Sequence, residues 1–310
     1  MAAEMAESPV NLTAFKRHVP TDSETAGGLT DAAVITRVMD FPPSERGPRE
    51  RLESLMSGWK RGLSKSMVPY REDGRTYPGS EYFCADGFFP WYFSQSPKIL
   101  FVGRETVQMS GGDYIADCLV AYRQNSVAGV TVNRHAFHSR MMYLAYGITH
   151  GCGIACEDLP RAGDIAAAFG TREGISFAFM ELSKYSNDNE DANSRRDKGL
   201  MERFLRDSLS AGRNFFREEL ELLDPDIIIT MNLWECGVDN ALIEAALGKV
   251  TLEDGKTWQP HATVNRIVIN GRRVLLIDLN HFSSRKSTKE CFYNPVMGIV
   301  RGEGIPDQPQ

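Results

Sequence analysis

No apolar run in this chain comes near the roughly 18 consecutive residues a membrane-crossing helix needs, and no internal repeat or low-complexity block is present. Cysteine is scarce. Its six copies, at positions 84, 118, 152, 156, 236 and 291, include no C-x-x-C pair, which leaves out a zinc ribbon or a disulfide scaffold and points to buried or idle thiols without a metal or other cofactor. Positive charge is not in excess either: 35 Lys and Arg stand against 41 Asp and Glu, for a net charge of −6. The chain therefore does not hold a polyanion through its overall charge, and any nucleic-acid contact must come from a local patch. Residues 1–7 carry acids where a secretory signal needs cations, so the expected setting is the cytoplasm, with no membrane partner.

What remains is an ordinary globular composition, 42% apolar and 25% charged, in a chain long enough to bury a sizeable core. Residues 1–45 are rich in small and polar residues without a sustained period and are expected to form a flexible extension. Residues 46–302 are expected to form one domain, and 303–310 a tail. Leu52, Leu55, Met56 and Trp59 recur at i, i+3, i+4 and i+7, which predicts a helix over 48–63. The aromatic cluster between Tyr82 and Phe93 reads as core. Short buried strands are predicted over 98–102, 175–180 and 226–231. Helices are predicted over 114–123, 134–146 and 241–247, and one long amphipathic helix from about 200 to 220, ended by Asp224-Pro225. Asn270-Gly271 between two apolar runs predicts a hairpin. Strands alternating with helices give an α/β domain, a three-layer sandwich around a mostly parallel central sheet.

The stretch that organises the rest is Val274-Leu-Leu-Ile-Asp-Leu-Asn-His-Phe-Ser-Ser-Arg-Lys-Ser287. A buried strand delivers an amide, an imidazole, hydroxyls and two cations to its carboxyl end, where open α/β sheets bind ligands. Ser283 and Ser284, with their hydroxyls and backbone N–H groups, offer a phosphate cradle. A second glycine-bearing segment, Gly103-Arg-Glu-Thr-Val-Gln-Met-Ser-Gly-Gly-Asp113, follows the 98–102 strand and feeds a helix. Its spacing is not the dinucleotide-binding G-x-G-x-x-G.

The order of these pieces resembles the uracil-DNA glycosylase superfamily. Phe101-Val-Gly-Arg-Glu105 ends a first strand, Glu181-Leu-Ser-Lys184 follows a second, Leu223-Asp-Pro-Asp-Ile-Ile-Ile-Thr-Met231 carries a third, and His281-Phe-Ser-Ser284 follows a late one. The likeness covers roughly residues 98–290. It implies that Glu105 occupies the place of the first-loop acid, His281 that of the motif histidine and Ser283 that of the motif serine. Glu181 stands where many members have an asparagine that reads a pyrimidine, and Phe282 where they have proline. The implied activity is a monomeric, cofactor-free DNA glycosylase. Glu105 and His281 would be catalytic, and Glu181, Gly103 and Asn280 would recognise the base. Ser283, Ser284, Arg285 and Lys286 would hold DNA phosphates. The glutamate at 181 directs the expectation from uracil to a cytosine derivative, with defence against phages carrying modified cytosine as a setting.

Other roles stay open for these residues. Glu105 could cap a helix, His281 could be a satisfied strand-end histidine, Glu181 could pair with Lys184 or Arg104, and Arg285, Lys286 and Lys289 could form a solvated face. Two other functions also stay open: repair of uracil or deaminated bases, and non-catalytic binding of DNA or a nucleotide.

Overall fold

A computed structural model describes residues 39–69, 75–188, 197–252 and 261–304. The chain opens with α1 (Arg46–Gly62), whose Leu52, Leu55, Met56 and Trp59 are buried at the expected spacing. A small antiparallel pair, β1 (Met67–Pro69) and β2 (Thr76–Pro78), leads through the short α2 (Gly79–Tyr82) to β3 (Gly87–Phe88). Next come β4 (Ile99–Val107), α3 (Tyr114–Arg123), α4 (Ala136–Thr149) and α5 (Ala162–Ala168). They are followed by β5 (Ala178–Asn187), α6 (Lys198–Leu209), α7 (Phe215–Leu223) and β6 (Ile227–Met231). The last part holds α8 (Asn240–Leu247), β7 (Thr251–Leu252), β8 (Ala262–Ile269), β9 (Arg272–Leu279) and α9 (Asn294–Gly302).

Seven strands form one mixed sheet in the order β3-β5-β4-β6-β9-β8-β7. Its centre, β5, β4, β6 and β9, is parallel, and β3, β8 and β7 join antiparallel at the edges. Alternate side chains of each strand leave opposite faces. Phe101, Phe179, Ile229 and Ile277 pack with α3, α4, α5 and α9. Leu100, Val102, Met180, Ile228 and Leu276 pack with α1, α6, α7 and α8. The domain is thus α/β, with a helix layer on each face of the sheet. The aromatics Tyr82, Phe83, Phe88, Phe89 and Tyr92 are buried in that core. Asn270 and Gly271 turn the β8–β9 hairpin at φ 48° and 75°, with Ile269 opposite Arg272.

Several boundaries differ from the sequence reading, each for a physical reason. The strand predicted over 175–180 begins at Ala178 and runs through the polar residues to Asn187, all of them buried. The strand thus continues through residues 181–187, past the end predicted at 180, where Lys184, Ser183 and Ser186 find partners inside the protein. The first core strand likewise extends past Val102 to Val107, carrying Gly103 and Glu105 within it. The long helix expected from 200 to 220 is two helices. Asn214 breaks it by accepting from Arg217 N while its amide donates to Ala245 O and Ala246 O at the end of α8. The helix expected at 134–146 begins at Ala136 and runs to Thr149. Most of the expected extension, residues 1–38, and the end of the expected tail, 305–310, lie outside the described residues. The domain itself starts before 46, since buried Glu45 accepts from the amides of Trp91 and Phe93.

Candidate active site at the carboxyl edge of the sheet

β5 lies on one side of β4 and β6 on the other, so the strand order reverses there. The crevice outside the carboxyl ends at such a reversal is where doubly wound sheets bind ligands. The edge carries residues 103–105 of β4, 181–187 of β5, and the residues that follow β6 and β9.

Gly103 is opposite Glu181 in the parallel register. A Cβ at Gly103 would lie 2.3 Å from Glu181 Oε2, so the carboxyl of Glu181 rests directly on the β4 backbone, and glycine is what admits it. Glu181 is 3% exposed, and its Oε2 is buried without a hydrogen-bond partner among the described residues. Burial, reinforced by the charge of Asp86, pushes this carboxyl well above the usual carboxylate range, against the pull of Lys184. The site therefore favours the protonated form of this side chain over the ionised acceptor.

The β5 strand that presents Glu181 is anchored from its opposite face. Lys184 Nζ donates to both Asp86 oxygens at 2.6 Å and stands 3.0 Å from Glu219 Oε2. It also lies 5.3 Å from the Trp59 ring centre. Burial alone would depress the lysine, but Asp86 and Glu219 outweigh it and raise its affinity for the proton. Asp86 also accepts the backbone N–H of Glu181 at 2.6 Å. The ion pair open to Glu181 in the sequence belongs instead to Lys184, Asp86 and Glu219.

Glu105 lies two residues beyond Gly103. Its Oε1 accepts from Asp197 N at 3.0 Å and Asn187 Nδ2 at 3.4 Å, while Oε2 is buried without a partner among the described residues. Burial pushes its carboxyl up to about 7, although those two donors favour the anion. Glu105 also raises the proton affinity of Glu181, so the two carboxyls sense one another. Arg104, on the other face of β4, donates to Asn232 O at 3.1 Å just past the end of β6. The α3 N-cap is Asp113, which accepts from Ala116 N, so Glu105 does not cap the helix that follows its strand.

The β9 end is built differently. Asn280 and His281 are half-buried. His281 Nδ1 accepts from Ser283 N at 3.2 Å, and its carbonyl accepts from Ser284 N at 2.9 Å. The first bond places the imidazole proton on Nε2. Together the two bonds commit both amides expected to form a phosphate cradle. Ser283, Arg285 and Lys286 remain exposed, whereas Ser284 Oγ is buried. Phe282 is fully buried against Phe101, Phe137 and Phe292. Lys289 pairs with Glu157 at 3.2 Å.

Arg140, from α4 and 4% exposed, holds this loop. Its guanidinium donates to the carbonyls of Phe282, Ser284 (2.9 Å) and Lys286 (2.6 Å) and to Thr288 Oγ1 (3.2 Å), and lies 4.1 Å from the Phe292 ring centre. Sequence reasoning missed this residue, although it is the only Lys, Arg, Asp or Glu in an otherwise apolar helix. Phe137, also missed, joins the two halves of the edge. Its ring centre is 5.9 Å from His281 and 6.2 Å from Phe179, the residue two before Glu181 on the same strand face. The structure thus brings Gly103, Glu105 and Glu181 together. His281 follows β9, two strand spacings (about 10 Å) from β4 and three (about 14 Å) from β5, with Phe137 between.

Among the described residues no His, Cys, Asp and Glu group has the arrangement of a metal site, and no helix is long and apolar enough to cross a membrane. Five cysteines are buried and Cys156 is half-buried, all as free thiols. The chain matches no protein-family model and no curated protein.

Proposed function

We propose that this protein is a DNA glycosylase that hydrolyses the N-glycosidic bond of a modified base, favouring a cytosine derivative, and leaves an abasic site. The observation that carries this reading is the carboxyl pair on adjacent strands at the switch point. Burial raises the proton affinity of both, Glu105 to about 7, and the charge of Asp86 adds to the rise at Glu181. Two neighbouring carboxyls in unlike surroundings suit a division between base and acid. Cleavage passes through an oxocarbenium-like sugar. Glu105, ionised, stabilises that cation and takes a proton from the attacking water. His281, with its proton on Nε2, supplies a donor to a carbonyl of the departing base, a contribution of about 3–4 kcal/mol for a well-aimed donor. The base must leave the duplex to reach such an edge, and Ser283, Arg285 and Lys286 would hold the flanking phosphates. Within this reading the fold is of the uracil-DNA glycosylase kind, acting as a monomer in the cytoplasm.

A second reading, uracil or deaminated-base repair, is favoured by one observation. Glu181 as a neutral acid offers a donor as well as an acceptor, and that pair also complements the O4 and N3–H edge of uracil. Incubating the protein with duplexes that each carry one uracil or one modified cytosine, then scoring alkali-labile sites, separates the two. Scission at a cytosine derivative with little at uracil is expected. Scission at uracil alone would establish the repair reading, and none at any base would leave a binding protein.

A further inference from the structure

We propose that Glu181 enters the reaction as the acid and gives its proton to N3 of the cytosine ring as the glycosidic bond breaks. This deepens the glycosylase reading and rests on it. The proposal stands on placement. The Glu181 carboxyl lies on the bare backbone of Gly103, its Oε2 is buried without a hydrogen-bond partner among the described residues, and Asp86 fixes the strand by accepting Glu181 N at 2.6 Å. An unsatisfied buried oxygen costs roughly 1–3 kcal/mol, and a bound base that pairs with it removes that cost. A carboxylic acid meets the cytosine edge at two points, its carbonyl accepting from the N4 amino group and its hydroxyl donating to N3.

The step balances. The C1′–N1 electron pair passes into the ring as the Glu181 proton moves to N3, so the base departs neutral and Glu181 becomes a carboxylate. Water adds its oxygen to C1′ and its proton to Glu105. Exchange with solvent returns a proton to Glu181 and removes one from Glu105. Cytosine needs this help more than uracil, because its ring spreads the departing pair over one carbonyl rather than two. The groups around Glu181 suit the role. Asp86, Glu105 and burial favour its protonated form, Lys184 and Arg104 oppose it, and Tyr114 and Cys118 of α3 lie close by as neutral groups.

The test uses the unaltered protein with two duplexes to be compared, one carrying 5-hydroxymethylcytosine and the other its 3-deaza counterpart, in which a C–H replaces N3, and with a third duplex that carries uracil. Single-turnover release of the 3-deaza base should be slower by on the order of a hundredfold or more, with duplex affinity little changed. Glu181→Gln should slow release of 5-hydroxymethylcytosine by a similar factor and discriminate little between the two duplexes. Equal rates on the two duplexes with the unaltered protein would overturn the proposal while leaving the glycosylase reading intact. Release of uracil alone would do the same. Release of no base from any duplex would overturn both.

Discussion

Glu105 combines an unpartnered oxygen with a carboxyl pushed up to about 7, and both properties can be measured. In the unfolded chain this group titrates near 4.5. Between those values the folded protein holds a proton that the unfolded chain has released, so stability falls as pH rises through that window. The penalty is complete above about pH 7 and amounts to at most about 3 kcal/mol. Glu105→Gln should therefore raise the melting temperature at pH 8, leave it nearly unchanged at pH 4, and flatten the profile between, as calorimetry would report. The same substitution should lower strand scission after alkali by on the order of a hundredfold while DNA binding persists. Unchanged scission would remove Glu105 from the chemistry. At Gly103 the expected outcome is separable from folding. A Cβ there meets the end of a flexible side chain, Glu181 Oε2 at 2.3 Å, so Gly103→Ala should displace that carboxyl and depress activity at least tenfold. Thermal stability should change by no more than about 1 kcal/mol. A fully active Gly103→Ala would show that the close approach is incidental.

Two elements carry the site, and each is stiffened by a buried charge. β5 runs polar side chains through the interior because Lys184, Asp86 and Glu219 satisfy one another behind it. Lys184→Met would leave Asp86 without its cation and should cost roughly 3–5 kcal/mol, seen as a lower denaturant midpoint. Helix α4 has a different task. Arg140 gathers three carbonyls and a hydroxyl of the loop after β9 into one fork, a geometry that lysine does not reproduce. Arg140→Lys should keep the core helix yet speed hydrogen exchange at the amides of Ser283 and Ser284, which depend on the His281 geometry. Exchange as slow as in the unaltered protein would mean that the loop holds itself.

On the scale of the molecule, a net charge of −6 opposes a polyanion, so any DNA contact must be local. The exposed Arg285 and Lys286, one strand beyond the switch point, are the cations in position to make it. Replacing both with alanine should weaken binding to all duplexes alike and reduce the slope of log affinity against log salt by roughly one to two. An unchanged slope would place those side chains in solvent during binding. The cleft of about 410 Å³ lined by Asp197, Leu200, Arg203 and Asp207 lies along α6. It adjoins the carboxyl edge only through Asp197, whose amide holds Glu105.

Local pattern by itself determined the helix of residues 46–62, the helix after Asp113, the buried β6 strand and the Asn270-Gly271 hairpin, because helical and strand periods and turn chemistry act over a few residues. It also placed Gly103, Glu105, Glu181, Asn280 and His281 at strand ends that prove to share one edge of the sheet. What it left to tertiary structure depends on distant partners. The extension of the strand through residues 181–187 rests on Asp86 and Glu219, 98 and 35 positions from Lys184. The raised proton affinity of Glu181 follows from burial and a neighbouring charge, which no residue type reveals. The loop after β9 takes its shape from Arg140, about 140 residues upstream. A period is written along the chain, whereas desolvation and charge pairing exist only once the chain has closed on itself.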